Sequence, residues 1–273
     1  MKDRLLRKLV PAVPAIARTP LAPLLDLADR FIRRGHPEWA HLPPASLRMR
    51  IGVGNRILRN HEVFIAAGEG LVAELGSRGC LDPGSAILEL GCGCGRNALA
   101  LLGYLGPRGR YVGQDVDLQM IEWCRRHLRA ENFSFDHADI FSKVYNPGGK
   151  PVAGYRFPAE DGSISLIVSV SVFSHLLYDD FRHYVGESGR VLSRGGKLHM
   201  TLFALDFMKE RLGDRWTFAH ETGRCRVESL RYPEAAVAYE LATVSGLLSE
   251  AGLSIADIYN RDLHQQTIIA TKG

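Results

Sequence analysis

Glu89-Leu-Gly91-Cys-Gly93-Cys-Gly95-Arg-Asn97 is the stretch on which the reading of this chain turns. It follows Ala86–Leu90 (AILEL), a short apolar run of strand character. It precedes Asn97–Tyr104, a helical pattern stopped at Gly106–Pro107. Three glycines at alternate positions let a ligand lie against bare backbone where side chains would collide. The carboxyl end of the first strand of an open α/β sheet is also where such sheets bind ligands. The spacing separates ligand classes. A dinucleotide fingerprint, G-x-G-x-x-G/A, puts Arg96 at its sixth position, too large for close helix–strand packing. A phosphate-cradling loop ends in Lys followed by Ser or Thr, and neither is here. Glu89, two residues before the first glycine, repels pyrophosphate and suits a ligand bearing an ammonium group.

Outward from the loop, apolar runs alternate with helical patterns. Arg110–Gln114 predicts a second strand, Leu118–Arg129 a second helix and Phe133–Asp136 a third strand. Ser163–Val170 (SISLIVSV) is a fourth strand, apolar enough for burial on both faces. Tyr178–Leu192 reads as a helix broken at Gly195–Gly196, and Lys197–Leu205 as a fifth strand. Ala236–Ala251 reads as a helix closed by Gly252, and Leu253–Tyr259 with Gln266–Thr271 as a terminal hairpin. Such alternation implies an α/β fold on a mostly parallel sheet, with one antiparallel strand near its C-terminal edge. Asp139–Gly162 and Asp206–Pro233 interrupt it as long loops, which are usually functional covers or disordered.

Two carboxylates extend the site. Asp115 ends the second strand, where it can bind both ribose hydroxyls of a nucleoside, and Asp117 beside it suits a helix N-cap. Asp139, in Ala138-Asp139-Ile140 after the third strand, can accept a hydrogen bond from an adenine amino group, and Met120 can pack on the adenine face or in the core. S-adenosylmethionine (SAM) joins an ammonium, a sulfonium and an adenosine without phosphate. ILELGCGCGRNAL, YVGQDVDLQMIEWC, HADIF and SISLIVSVSVFSHL…VLSRGGKLHMTLF resemble, in order and spacing, the motifs of class I SAM-dependent methyltransferases. The resemblance covers about Ser85 to Leu205. It implies a seven-stranded sheet of order 3-2-1-4-5-7-6 with strand 7 antiparallel, and SAM as cofactor with S-adenosylhomocysteine as product. The cofactor candidates are Glu89, Gly91, Cys92, Gly93, Gly95, Asp115, Val116, Met120, Ala138, Asp139, Ile140 and Ser169.

The 273 residues suit one large domain with appended segments, and 46% hydrophobic with 23% charged residues excludes a disordered or fibrous chain. Residues 1–60 hold twelve Lys/Arg against four Asp/Glu, a net +8, so the other 213 carry −4. Seven of the thirteen prolines fall in the first 44 residues. Residues 1–79 therefore read as an N-terminal helical extension or lid, and 80–273 as the main domain with an acceptor-binding insertion at about 206–235. Leu21–Arg34 places its apolar residues on one helical face and Asp26, Asp29, Arg30 and Arg33 on the other. That face either packs on the domain or touches an anionic membrane weakly. The basic segment lacks the interleaved aromatics of a nucleic-acid binder, so no nucleic-acid partner is expected, and a homo-oligomer stays open. Prolines break the apolar stretch at the start, which does not read as a secretory signal. Five unevenly spaced cysteines suit reduced thiols in the cytoplasm, and Cys92-Gly-Cys94 without a second Cys/His pair is a poor zinc site.

The acceptor side begins past the fourth strand. His175 is the candidate general base, with helix capping as the competing role. Phe173, Tyr178, His220 and Tyr232 are candidates to line the acceptor pocket. Strand four ends in serines rather than the carboxylates of a Mg²⁺ site, so a metal-free reaction is expected. Arg50-Ile-Gly52-Val-Gly54-Asn55 is either a connecting loop or a flap whose Arg50 pairs with a ligand carboxylate. The expected activity is methyl transfer to a small, hydrophobic acceptor, at oxygen with His175 as base. Nitrogen or carbon transfer and a non-catalytic SAM-binding module are the alternatives. An NAD-linked oxidoreductase is disfavoured by Arg96.

Overall fold

The computed structural model describes residues 20–52, 58–143, 145–207, 216–260 and 265–273. Strands β1 (Ala86–Leu90), β2 (Arg110–Asp115), β3 (Phe133–His137), β4 (Ile164–Ser169) and β5 (Leu192–Ala204) run parallel in the order 3-2-1-4-5. Three strands of the 206–239 region follow β5 in the chain: β6 (His220–Thr222), β7 (Cys225–Val227) and β8 (Val237–Tyr239). A hairpin of β9 (Leu253–Asn260) and β10 (Gln266–Lys272) closes the sheet, with β10 antiparallel against β5. The main sheet therefore runs 3-2-1-4-5-10-9, the expected order with its last two strands renumbered.

Side chains alternate along β1 and β4, so the sheet buries both faces. Ile87, Leu166 and Val168 pack with Phe64, Leu71, Leu75, Leu101 and Ile121 from helices α3 (His61–Ser77), α4 (Arg96–Leu102) and α5 (Leu118–His127). Leu88, Leu90 and Ile167 pack on the opposite side with Phe181, Val185, Leu247 and Leu248 from α6 (Tyr178–Val191) and α7 (Leu241–Glu250). Helix α3 therefore shares the main core, although it lies in the expected N-terminal extension.

The second long stretch is folded where a loop was expected. The end of β5 leaves β10 and pairs in parallel with β8, through Phe203↔Ala238 and Ala204↔Tyr239; β7 and β6 continue that small sheet. The helix expected over Ala236–Ala251 consequently begins only at Leu241. Val237 and Tyr239 enter the main core, while Ala236 and Ala238 face Phe203 and Phe218. Burial on two opposite sides needs a period of two, and this overrides the helix propensity of the alanines. Gly195–Gly196 lie inside β5, where Gly195 adopts φ +75° and the pairing with β4 shifts register.

Helix α1 (Ala22–Arg33) is mounted against expectation, with its polar side inward. Asp29 is fully buried and accepts from both Nη atoms of Arg48 at 2.8 and 3.2 Å and from His61 Nε2 at 2.8 Å, with Arg33 Nε 3.1 Å away as an ion pair. Asp26 accepts from the backbone N–H and hydroxyl of Ser46, each at 2.8 Å. His36, Trp39 and His61 stack, with centroid separations of 3.7 and 4.2 Å. Arg48 lies in a one-turn helix, α2 (Ala45–Arg48), and also donates from Nε to Asn60 at 2.7 Å. A polar knot thus ties α1 to α3, in place of the packed apolar face that was one of the two readings of its sequence. Among the described residues no helix is long and apolar enough to cross a membrane.

Candidate active site

Past Leu90 the backbone turns on Gly91, Gly93 and Gly95, at φ +73°, +55° and +80°. L-residues avoid this region, so the spacing of the glycines follows from the turn itself. A Cβ on Gly91 would collide with Val172, beyond β4, and one on Gly93 would lie 2.8 Å from Ile51 Cγ2, in the N-terminal segment. Two distant parts of the chain thus converge on the loop.

Glu89 points inward, not toward a ligand ammonium as expected. It is 2% exposed. Its Oε1 accepts from Asn97 Nδ2 and its Oε2 from the Tyr111 hydroxyl, both at 2.6 Å. Burial pushes its pKa up against these two donors. The carboxylate braces the first turn of α4 against β2. The reason is strand parity: position 89 faces the helix layer of α3, α4 and α5, the same side as Ile87.

Asp115 is placed at the loop itself. Oδ2 accepts from the Gly93 N–H and Oδ1 from the Asp117 N–H, both at 2.8 Å. Burial pushes its pKa up to about 6, opposed by those two hydrogen bonds. Asp117 caps α5 by accepting from the Gln119 N–H at 3.1 Å, and pairs with Arg50 Nη1 at 2.9 Å. Arg50 also donates to Gln119 Oε1 at 2.7 Å. Arg50 is thereby clamped to the start of α5, which brings Ile51 over Gly93; residues 53–57 of that glycine turn lie outside the described residues.

A cleft of about 930 Å³ opens at this edge, lined by Leu47, Arg50, Val116, Asp117, Trp123, His137 and Asp139. Asp139 is half-buried there and accepts from Asn146 Nδ2 at 3.2 Å, with Lys150 Nζ 3.4 Å away. That hydrogen bond and the lysine hold its pKa down. Ala138 and Ile140, on either side, are buried in the core. Met120 is also core: its sulfur lies beneath Gly93, not on an open face. Cys92, Cys94 and Cys124 are buried free thiols, and burial pushes those of Cys92 and Cys94 far up. They fill space under the loop. Among the described residues no group of three His, Cys, Asp or Glu side chains is placed to hold a metal ion.

Beyond β4 the chain kinks. Ser171 takes φ +59°, a left-handed conformation that costs a non-glycine residue free energy and tends to occur at functional sites. Its N–H donates to Thr201 Oγ1 at 2.7 Å, and its hydroxyl and that of Thr201 donate to Gln265 Oε1 at 3.1 and 2.8 Å. Gln265 in turn donates to Ser174 Oγ at 3.2 Å. This polar cluster joins the ends of β4, β5 and β10. The sequence reading missed it, although a threonine in the apolar KLHMTLFAL run was a visible signal. Ser169, paired with Leu90 across the strands, keeps a fully buried hydroxyl with no hydrogen-bond partner among the described residues.

His175 follows on a single 3₁₀ turn (Phe173–His175). Its Nδ1–H donates to the Glu234 carbonyl at 2.8 Å, which leaves Nε2 as the unprotonated nitrogen. Burial lowers its pKa against that bond. The folded insertion supplies this contact and two more: Tyr239 OH donates to the Leu176 carbonyl at 2.8 Å, and Arg224 Nη1 to Tyr178 OH at 2.9 Å. The other acceptor-side candidates separate. Phe173 is fully buried, edge-on to Phe181 with centroids 4.8 Å apart, and packs in the core. Tyr178 sits under Arg224. His220 is exposed on β6, and Tyr232 is exposed beside Lys143, two residues before Glu234.

The glycine turns after β1, the Asp115 carboxylate bonded to them and Asp139 in the cleft are thus gathered at the carboxyl edge of the parallel strands. Residues 87–196 match the family described as methyltransferase domain. The fold is shared with a SAM-dependent methyltransferase from Aquifex aeolicus, at 16% identity and TM-score 0.50 over 78% of this chain and 93% of that one. It is also shared with an S-adenosylmethionine-dependent methyltransferase from Mesorhizobium loti, at 15% identity and TM-score 0.51 over 75% and 100%. A 37.1 kDa protein of transposon TN4556 from Streptomyces fradiae is 32% identical over 118 residues, 43% of this chain but only 30% of that protein. Residues 87–196 thus match the methyltransferase-domain family, and the sheet order is the fold shared with these SAM-dependent methyltransferases.

Proposed function

We propose that the chain transfers a methyl group from SAM to oxygen on a small, largely apolar organic acceptor, without a metal, and that His175 is the general base. The cofactor supplies an activated, electrophilic methyl group. Asp115 would hold the ribose, Asp139 the adenine end, and the glycine turns the amino-acid part. Displacement at that methyl needs alignment and the exclusion of water more than acid chemistry. A hydroxyl acceptor needs, in addition, a group to take its proton.

The observation that carries the assignment is the bond from His175 Nδ1–H to the Glu234 carbonyl. It fixes the tautomer with Nε2 able to accept a proton, and the lowered pKa keeps the ring neutral near pH 7. The serines that end β4 support a reaction without a metal, since they offer no carboxylate to a divalent ion. Release of S-adenosylhomocysteine, measured against a panel of phenols, alcohols and amines, tests the reading. We expect turnover with hydroxyl acceptors and a loss of about 10²-fold or more in kcat for His175→Asn, which keeps a donor for Glu234 but removes the base. Turnover confined to amines, with His175→Asn within a few-fold of wild type, moves the assignment to nitrogen. Tight cofactor binding without turnover leaves a non-catalytic SAM-binding module.

A further inference from the structure

Helix α1 presents much of its apolar side to solvent, with Leu25, Ala28 and Ile32 half-buried beside it. Leu21 just before it, then Leu24, Leu27 and Phe31, are exposed by 54, 61, 44 and 55%, on one stripe at helical spacing. The polar side is spent inward on Arg48, His61 and Ser46. Soluble proteins mount amphipathic helices the other way round, so a contiguous exposed stripe of this kind marks an interaction surface. The stripe is also rigidly held, because the buried bonds of Asp26 and Asp29 fix the helix from behind.

We propose that this face of α1 docks on an anionic membrane surface. Arg30 and Arg34 are exposed along the rim of the stripe, and the Arg34 guanidinium lies 4.4 Å from the centre of the Phe31 ring. Residues 1–19, which lead into the helix, contain five Lys/Arg and one Asp. The first 60 residues carry +8 while the remaining 213 carry −4, so the chain is charged to approach an anionic surface with this end. The same charge argues against a second copy of the chain as the occupant, because a two-fold contact through α1 would bring two basic rims together. The stripe runs over eleven residues, Leu21 to Phe31, about 15 Å along the axis, which suits a helix lying in the headgroup plane and not one crossing the bilayer.

Co-sedimentation of the full chain with vesicles tests this, using phosphatidylcholine alone and phosphatidylcholine mixed with phosphatidylglycerol. We expect binding to the mixed vesicles only, weakened by high salt. Replacing both Leu24→Ser and Phe31→Ser should weaken it by about tenfold or more, with an unchanged melting temperature because both side chains are exposed. A second variant, Arg30→Gln with Arg34→Gln, leaves the stripe intact and should weaken binding by severalfold. Failure of the full chain to sediment with the mixed vesicles overturns the proposal. So does undiminished binding by both variants, or a concentration-dependent dimer that Leu24→Ser/Phe31→Ser abolishes. None of these outcomes depends on methyl transfer.

Discussion

Asp115 and His175 have pKa values shifted in opposite directions, and pH separates the roles proposed for them. In the proposed cofactor site Asp115 must be ionised to accept both ribose hydroxyls, and burial raises its pKa to about 6. Affinity for S-adenosylhomocysteine, followed by calorimetry, should be flat above that value and fall by up to about tenfold per pH unit below it. Asp115→Asn should bind weakly at every pH and lose the dependence. The base role proposed for His175 requires a neutral ring, and burial lowers its pKa below the ordinary 6.5. With cofactor and acceptor saturating, kcat should therefore hold at pH 6.5 and drop only at lower pH. A midpoint above 6.5 would contradict the half-buried, carbonyl-tethered ring. Glu89 belongs to a different category. It acts through Asn97 and Tyr111, so Glu89→Gln should shift cofactor affinity mainly by loosening the loop.

At the scale of elements, the glycine loop is held by two strangers in sequence, Val172 and Ile51. Gly91→Ala would force a Cβ into Val172 at a left-handed φ, so about 1–3 kcal/mol of stability should be lost along with cofactor binding. Thermal melting with and without S-adenosylhomocysteine reads both. The N-terminal segment is clamped by the Arg50–Asp117 pair, whose side chains are almost wholly buried. Arg50→Ala strands the Asp117 carboxylate, although the Gln119 N–H still caps it. The expected cost is about 2–3 kcal/mol, below the value for a fully orphaned charge. Limited proteolysis should then cut within residues 20–52 faster than in wild type.

For the molecule as a whole, the knot of Asp29, Arg48, Arg33 and His61 decides how the N-terminal part stays attached. Burial alone would raise the pKa of Asp29, but its bonds to Arg48, with Arg33 and His61 nearby, hold it below 3.8. His61 is pushed below 6.5, first by burial and then by the Arg48 charge, so the ring stays neutral and donates to Asp29. Both shifts are depressions. Each group's contribution is complete above its unfolded pKa and is lost as pH falls toward the folded one. Stability should accordingly decline from about pH 6.5 downward through His61, then again below about 3.8 through Asp29. Urea titrations at several pH values should show the first decline reduced in His61→Gln. Asp29→Asn at neutral pH should cost about 3–5 kcal/mol by leaving Arg48 buried and unbalanced.

Much of this was legible in one dimension because it depends on local constraints. The alternation of apolar runs and helical patterns sets the doubly wound sheet, and the positive φ of three turns demands glycine at 91, 93 and 95. Asp115 and Asp117 follow from their places at a strand end and a helix start. What the chain kept hidden depends on which side of an element is covered. The amphipathic pattern of α1 identified the helix but not which face it buries, since Arg48, Asn60 and His61, which receive its polar side, lie outside the helix itself. Met120, Phe173 and Glu89 carry the right chemistry for a site, yet packing turns all three inward. The strands of the 206–239 insertion, the cluster of Ser171, Thr201 and Gln265, and the carbonyl that sets the His175 tautomer arise from residues up to 94 positions apart, so only folding could bring them together.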